Sequence, residues 1–265
     1  MSRLPRVLIW SSAAVVLFLY IPILVLIVLS FNDSHMGAVW KGFSLRWYDK
    51  LIHNPAFFEA MLNSVLIAAV STGMSLIFGV GAAIGLEGNR GRLLPFINMG
   101  LVLPLVIPEI LLGVALLMMF VLLQIPLGFV TIILGHSVFS LPLTIVMIRA
   151  RLRKLDPTWE DAARDLGANS WDVLRHITLP LLKPAMVGAA LLTFTVSLDD
   201  FVITFFVAGP GSTTLPLKVF SMIKTGVTPE INALSALLVL VSILGVGGSW
   251  FYQQRSGRVV TQSLS

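Results

Sequence analysis

A chain of 265 residues that is 57% hydrophobic and only 12% charged, with a mean hydropathy of +0.93, lies outside the ordinary soluble class, where about a quarter of residues are charged. It has no cysteine, which excludes disulfides and thiolate metal sites, and its four histidines (His35, His53, His136, His176) show no metal-ligand spacing. The net charge of +5 comes from Lys and Arg in short segments beside apolar runs, which orients a chain in a membrane rather than building a nucleic-acid face.

Arg3 and Arg6 precede an apolar run over residues 8–29. The run is too long for a secretory core of about 7–15 residues, and no small-x-small cleavage site closes it, so it reads as a retained first transmembrane helix. Residues 31–60 read as a polar, aromatic loop with Trp40, Trp47 and Tyr48 as interfacial anchors. A second helix follows at 61–86, where Ser71, Gly73, Gly79 and Gly81 allow close approach of a neighbour. A basic turn at 88–92 returns the chain. The third helix, 95–123, is interrupted by Pro104 and Pro108 just before a mid-helix acid, Glu109. Pro126 and Gly128 make a tight outer turn into helix four at 129–148. Helix five is expected at 184–207, an outer loop at 208–232, helix six at 233–252, and a short polar tail ends the chain.

Six spans place both termini on one side. Of the 18 Lys and Arg, 13 fall on that side, so both ends and the segment 149–183 are expected in the cytoplasm. The chain reads as an all-α, polytopic, single transmembrane domain over residues 1–265, with no internal repeat and no separate soluble domain.

The segment DPTWEDAARDLGANSWDVLRHITLPLLKP, residues 156–184, is charged and bent among apolar neighbours. Asp156 or Thr158 can cap a helix with Pro157 in its first turn. Trp159, Ala162, Ala163 and Leu166 recur at i, i+3, i+4 and i+7, and Gly167 can end that helix in the left-handed conformation. Asn169 or Ser170 can cap a second short helix towards Ile177, with Pro180 and Pro184 breaking the chain into the next span. Two short helices at an elbow make a knob, which is compatible with a solvated connector and with a docking element.

At these residues the segment resembles the EAA loop of ABC-importer permease subunits, with the pattern EAA-x3-G-x9-I-x-L-P. The matches are Asp161, Ala162, Ala163, Gly167, Ile177, Leu179 and Pro180, with every interval correct. The departure is Asp161 where that family usually has Glu, and Glu160 lies next to it. The resemblance implies a MetI-like, type I importer permease fold in the bacterial inner membrane. It also implies a coupling loop seated in a groove of a separate ATPase subunit. The chain has no Gly-x4-Gly-Lys-Ser/Thr phosphate loop, so ATP and Mg would be bound by that partner, and the chain itself would catalyse nothing.

Three acids lie inside apolar runs: Glu109, Asp199 and Asp200, the last two placed about 12 Å short of the outer end of helix five. An ionised carboxylate facing lipid costs several kcal/mol, so each should either line a translocation path or hydrogen-bond between helices. Asp199 and Asp200 point about 100° apart on a helix and should not share one role. Thr193, Thr195 and Ser197 are expected to bond back to their own helix or to pack at an interface. Of Phe194, Phe201, Phe205 and Phe206, only Phe201 is assigned to the path, as a cation–π partner, and the rest to packing or lipid.

Acids in an apolar route favour a cationic cargo. Residues 20–32, 42–51 and 191–234 are similar to the polyamine branch of these permeases, the spermidine/putrescine importers. That resemblance implies a second, distinct permease, two ATPase copies and an extracytoplasmic binding protein as partners. Glu109 departs from it, since Asp is common there. Two other classes are weaker readings. A self-contained secondary transporter commonly carries inverted repeats, and a membrane-embedded enzyme needs a nucleophile–base or metal constellation.

Overall fold

Inside a membrane an apolar run can satisfy its backbone within a single segment only as a helix, and among the described residues the long apolar runs are helical. The computed structural model describes residues 6–34, 39–87, 91–226, 229–240 and 243. In chain order the helices are α1 (Arg6–Leu29), α2 (Arg46–Ile52), α3 (Pro55–Glu87), α4 (Leu94–Val106), α5 (Glu109–Leu122), α6 (Phe129–Leu152), α7 (Thr158–Asp165), α8 (Ser170–Val173), α9 (Leu179–Asp199), α10 (Val202–Val207) and α11 (Leu215–Thr225). A further apolar helix, α12, runs over Pro229–Leu240. Among the described residues four helices are long and apolar enough to cross a membrane, or five if α4 and α5 form one broken span. The predicted extension of the last span to residue 252, and the tail, lie outside the described residues, as do Gly88, Asn89 and Arg90 of the predicted basic turn.

The predicted third helix is two helices meeting at 108°. Pro108 has no N–H to continue α4, and its ring drives Ile107 into an extended conformation (φ −67°, ψ 133°). Glu109 is therefore the first residue of α5 rather than a mid-helix acid.

By chain contacts the molecule divides into Phe58–Lys218 and a second part formed by Met1–Phe57 with Val219–Ser265. The first part holds two packed layers. In one, Ile67 of α3 meets Leu112, Leu116 and Phe120 of α5, Ile132 of α6, and Ile203 and Val207 of α10. In the other, Val80 and Ala83 of α3 meet Ile145 and Ile148 of α6 and Leu182 of α9. Gly79 brings α3 against α6: a Cβ there would stand 2.7 Å from the Thr144 methyl. At the ends of these helices Glu87 accepts from Arg149 Nε (2.8 Å) and Arg153 Nε (2.7 Å), and Arg149 also donates to Asn98 (2.6 Å).

In the second part, the predicted polar loop contains α2, folded around Asn32. The Asn32 side chain donates to the Val39 carbonyl (2.8 Å) and accepts from Lys41 N–H (2.9 Å). Trp47, predicted as an interfacial anchor, is instead buried, its indole N–H donating to the Asn32 carbonyl at 2.8 Å. Tyr48 is bonded to Ser30 at 2.6 Å, and Trp40 remains exposed. Lys50 pairs with Glu230 at the start of α12 at 2.7 Å. The predicted outer loop 208–232 likewise contains α11 and the beginning of α12.

Candidate functional site

The predicted fifth helix, 184–207, is in fact α9 and α10 separated by a break. α9 begins earlier, at Leu179, and stops where Asp200 turns extended (ψ 120°); α10 resumes at Val202. The first N–H groups of any helix lack intrahelical acceptors. Here Asp200 supplies them: Ile203 N–H donates to Oδ1 (3.3 Å), Thr204 N–H to Oδ2 (2.9 Å), and the Thr204 hydroxyl to Oδ2 (3.0 Å). The acids thus sit at a helix break instead of within a helix.

His136 of α6 spans that break. Its Nε2 lies 2.9 Å from Asp200 Oδ2 and 2.9 Å from Thr204 Oγ1, at the start of α10. Its Nδ1 lies 2.6 Å from Ser197 Oγ, in the last turn of α9, and Ser197 Oγ lies 3.0 Å from Ser71 Oγ of α3. An imidazole protonated at Nε2 satisfies the two nitrogens: Ser197 donates to Nδ1, and Nε2 donates to Asp200. The His136 side chain is 2% exposed and that of Asp200 11%. Ser197 is thus an interface residue, while Thr193 and Thr195 bond back to the carbonyls of Ala189 and Leu191, each at 2.8 Å.

A cavity of about 320 Å³ opens beside the break, lined among others by Glu109, His136, Ser140, Asp199, Asp200 and Phe201. All four residues predicted for a path, Glu109, Asp199, Asp200 and Phe201, border it. They differ in availability. Asp199 and Glu109 are exposed, and neither carboxylate bonds to another described residue, whereas Asp200 is engaged by four donors. Phe201 stacks in a tilted pair with Phe205 at 5.5 Å, and Phe206 packs against Gly113, where a Cβ would stand 2.6 Å from its ring. Sequence reading missed His136 because its partners are distant in the chain; the one local signal was an imidazole inside the apolar run of helix four.

The first helix of the knob and its glycine stop match the predicted outline. Asp156 accepts from Thr158 N–H at 3.0 Å, and this bond, with the Thr158 hydroxyl, holds the Asp156 carboxyl below the usual carboxylate range. α7 closes at Gly167 (φ +88°) with the paired bonds of a Schellman motif: Gly167 N–H to Arg164 O (2.9 Å) and Ala168 N–H to Ala163 O (3.0 Å). Asn169 caps α8 by accepting from Trp171 and Asp172 N–H at 2.9 and 3.0 Å. Glu160 faces inward, accepting from the Thr178 hydroxyl at 2.7 Å, while Asp161, Ala162 and Gly167 are exposed and Ala163 is half-buried. Trp159, Leu166 and Trp171 add exposed apolar surface.

The prolines do not break the chain as expected. Ser170 to Asp199 is one helical run, with a wide π turn at Leu174–Thr178 ahead of Pro180. Pro180 follows that π turn, which widens the helix just ahead of its ring, and Pro184 is carried inside α9. Ile177 and Leu179 are half-buried and Pro180 is exposed.

Comparison with known proteins bears on this geometry. The model of the family "binding-protein-dependent transport system inner membrane component" matches residues 75–259. The spermidine/putrescine transport system permease protein PotC of Escherichia coli K12 is 40% identical over 233 residues, covering 88% of both chains. The putrescine transport system permease protein PotI of the same strain is 42% identical over 253 residues, covering 90% of this chain and 88% of its own. A crystal structure of a bacterial ABC transporter that imports the acidic polysaccharide alginate contains a chain of the same fold, with a TM-score of 0.68 at 18% identity, covering 96% of this chain and 98% of that one. The sequence relatives are transport permeases, not enzymes. With an all-helical permease fold, apolar spans and a family match over most of its length, the chain belongs to the binding-protein-dependent transport system inner membrane components.

Proposed function

We propose that this chain is one permease subunit of an ATP-driven importer of polyamines, putrescine or spermidine, in the bacterial inner membrane. The observation that carries the reading is the cavity at the α9–α10 break, where Glu109, Asp199, Asp200 and Phe201 come together in a chain similar to polyamine permeases. An alkyl diamine or triamine needs carboxylates for its ammonium groups and apolar or aromatic surface for its methylenes, and the cavity lining offers both.

The assembly would contain a second, homologous permease, two ATPase subunits that bind ATP and Mg, and an extracytoplasmic binding protein. The chain would cross the membrane six times as a single domain, with both termini and the knob on the cytoplasmic side. Asp161, Ala162, Ala163 and Gly167 would form the coupling surface with the exposed Trp159, Leu166 and Trp171. Glu160 would brace the knob through Thr178, and Ile177, Leu179 and Pro180 would join it to α9.

The test is amine uptake into vesicles holding the full assembly, with and without ATP. ATP-dependent accumulation of putrescine or spermidine is expected. Accumulation that persists without the ATPase or ATP would identify a self-contained transporter, and an assembly that moves other organic cations but neither amine would overturn the cargo.

A further inference from the structure

We infer that His136 is a positioning residue that removes Asp200 from the set of cargo ligands and presents Asp199 as the α9 carboxylate that meets the ammonium. The inference rests on the polyamine reading above. Three adjoining features carry it.

The first is acceptor capacity. A carboxylate has about four lone-pair sites, and Asp200 already accepts from Ile203 N–H, Thr204 N–H, the Thr204 hydroxyl and His136 Nε2. Three of these donors fill Oδ2, and Oδ1, which already accepts from Ile203 N–H at 3.3 Å, keeps at most one lone pair for an amine. Asp199, one residue earlier, is exposed at the same cavity and bonds to no other described side chain.

The second is where His136 attaches. Its two nitrogens hold opposite sides of the α9–α10 break, Ser197 on one side and Asp200 with Thr204 on the other. Residues 198 and 199 lie between these anchors, so the direction in which Asp199 points is set by a ring that does not touch the cargo. The Ser71–Ser197 bond extends the anchor to α3.

The third is burial. With 2% of its side chain exposed, His136 borders the cavity with too little free surface to act as a main ligand. Its neighbours are engaged too: Ser197 bonds to His136 and Ser71, and Thr204 to His136 and Asp200.

The experiment is concentration-dependent putrescine and spermidine uptake by the full reconstituted assembly, comparing His136→Ala, His136→Gln, Ser197→Ala, Asp200→Asn and Asp199→Asn at equal co-purified ATPase. Truncating a buried bond to a charged group should raise the KM of His136→Ala about tenfold while Vmax changes much less. His136→Gln, which can still donate to Asp200, should recover most of that loss. Asp200→Asn can still cap α10 and should sit near His136→Ala, whereas Asp199→Asn should be far worse than either. Should His136→Ala fail to assemble, Ser197→Ala tests the same anchor by removing only the Nδ1 bond, with a rise of about threefold. An unchanged KM in His136→Ala or Ser197→Ala beside a defective Asp199→Asn would overturn the positioning role and leave the cargo reading standing. So would Asp200→Asn losing uptake as completely as Asp199→Asn, since Asp200 would then be a ligand itself. Undiminished amine uptake in Asp199→Asn overturns both.

Discussion

In the knob, the bonds that define each turn are local: Gly167 to Arg164, Ala168 to Ala163, and Asn169 to Trp171 and Asp172. Around the cavity they are not, for Ser71 and Ser197 are 126 residues apart and His136 and Ser197 are 61 apart. The knob is exposed and its polar groups can turn to water when a bond is lost; the His136–Ser197–Thr204 side of the cavity is buried and its polar groups have only one another. Under the proposed coupling and cargo roles, damage to the knob should impair ATPase docking and spare amine affinity, and damage to the cavity should do the reverse.

The sharpest test of that contrast is Asp199→Asn. Removing a charge that pairs with an ammonium in a confined site costs about 2–5 kcal/mol, so KM for either amine should rise about a hundredfold while the ATPase still co-purifies. Reduced co-purification would show that cavity and knob are not separable. Next is Gly209→Ala, where an added Cβ would strike the Leu127 carbonyl, a backbone atom that cannot swing away. Overpacking of this kind costs about 1–3 kcal/mol, to be read as a lower Tm of the purified assembly. An unchanged Tm would mean that residues 127 and 209 do not approach so closely.

Gly167→Ala is milder. The left-handed conformation at φ +88° costs an alanine about 1 kcal/mol, so ATPase co-purification should fall about fivefold with the KM for amine unchanged. A raised KM in this variant would break the comparison from the other side.

The smallest effect is expected from acid. The Asp156 carboxyl is held below its usual range by Thr158, so its contribution to the start of α7 is present above the ordinary carboxylate pKa and is lost as pH falls through the lowered value. Amide-exchange protection factors at Thr158–Asp165, referenced to the intrinsic exchange rate at each pH, should fall below about pH 4, and Asp156→Ala should remove that pH dependence. The same dependence in Asp156→Ala would assign it to another group.

The membrane class, the all-helical character and the glycine elbow of the knob were legible in the sequence, because each depends on apolar length, a capping side chain or a backbone conformation encoded within a few residues. The sequence also identified the three acids and Phe201 as a set, since carboxylates in apolar runs are conspicuous wherever they fall. Two of its expectations failed where proline was involved. Pro108 made a 108° break that removed Glu109 from mid-helix, while Pro180, just after a π turn, and Pro184 were carried within a continuous helix. Which acid is available depends on packing between distant parts of the chain. That packing brought His136 of α6 to both sides of the α9–α10 break, buried Trp47 against Asn32, and left Asp199 open beside an occupied Asp200. Acceptor capacity is consumed by whichever donors packing brings within hydrogen-bond reach, and local sequence does not specify which donors those are.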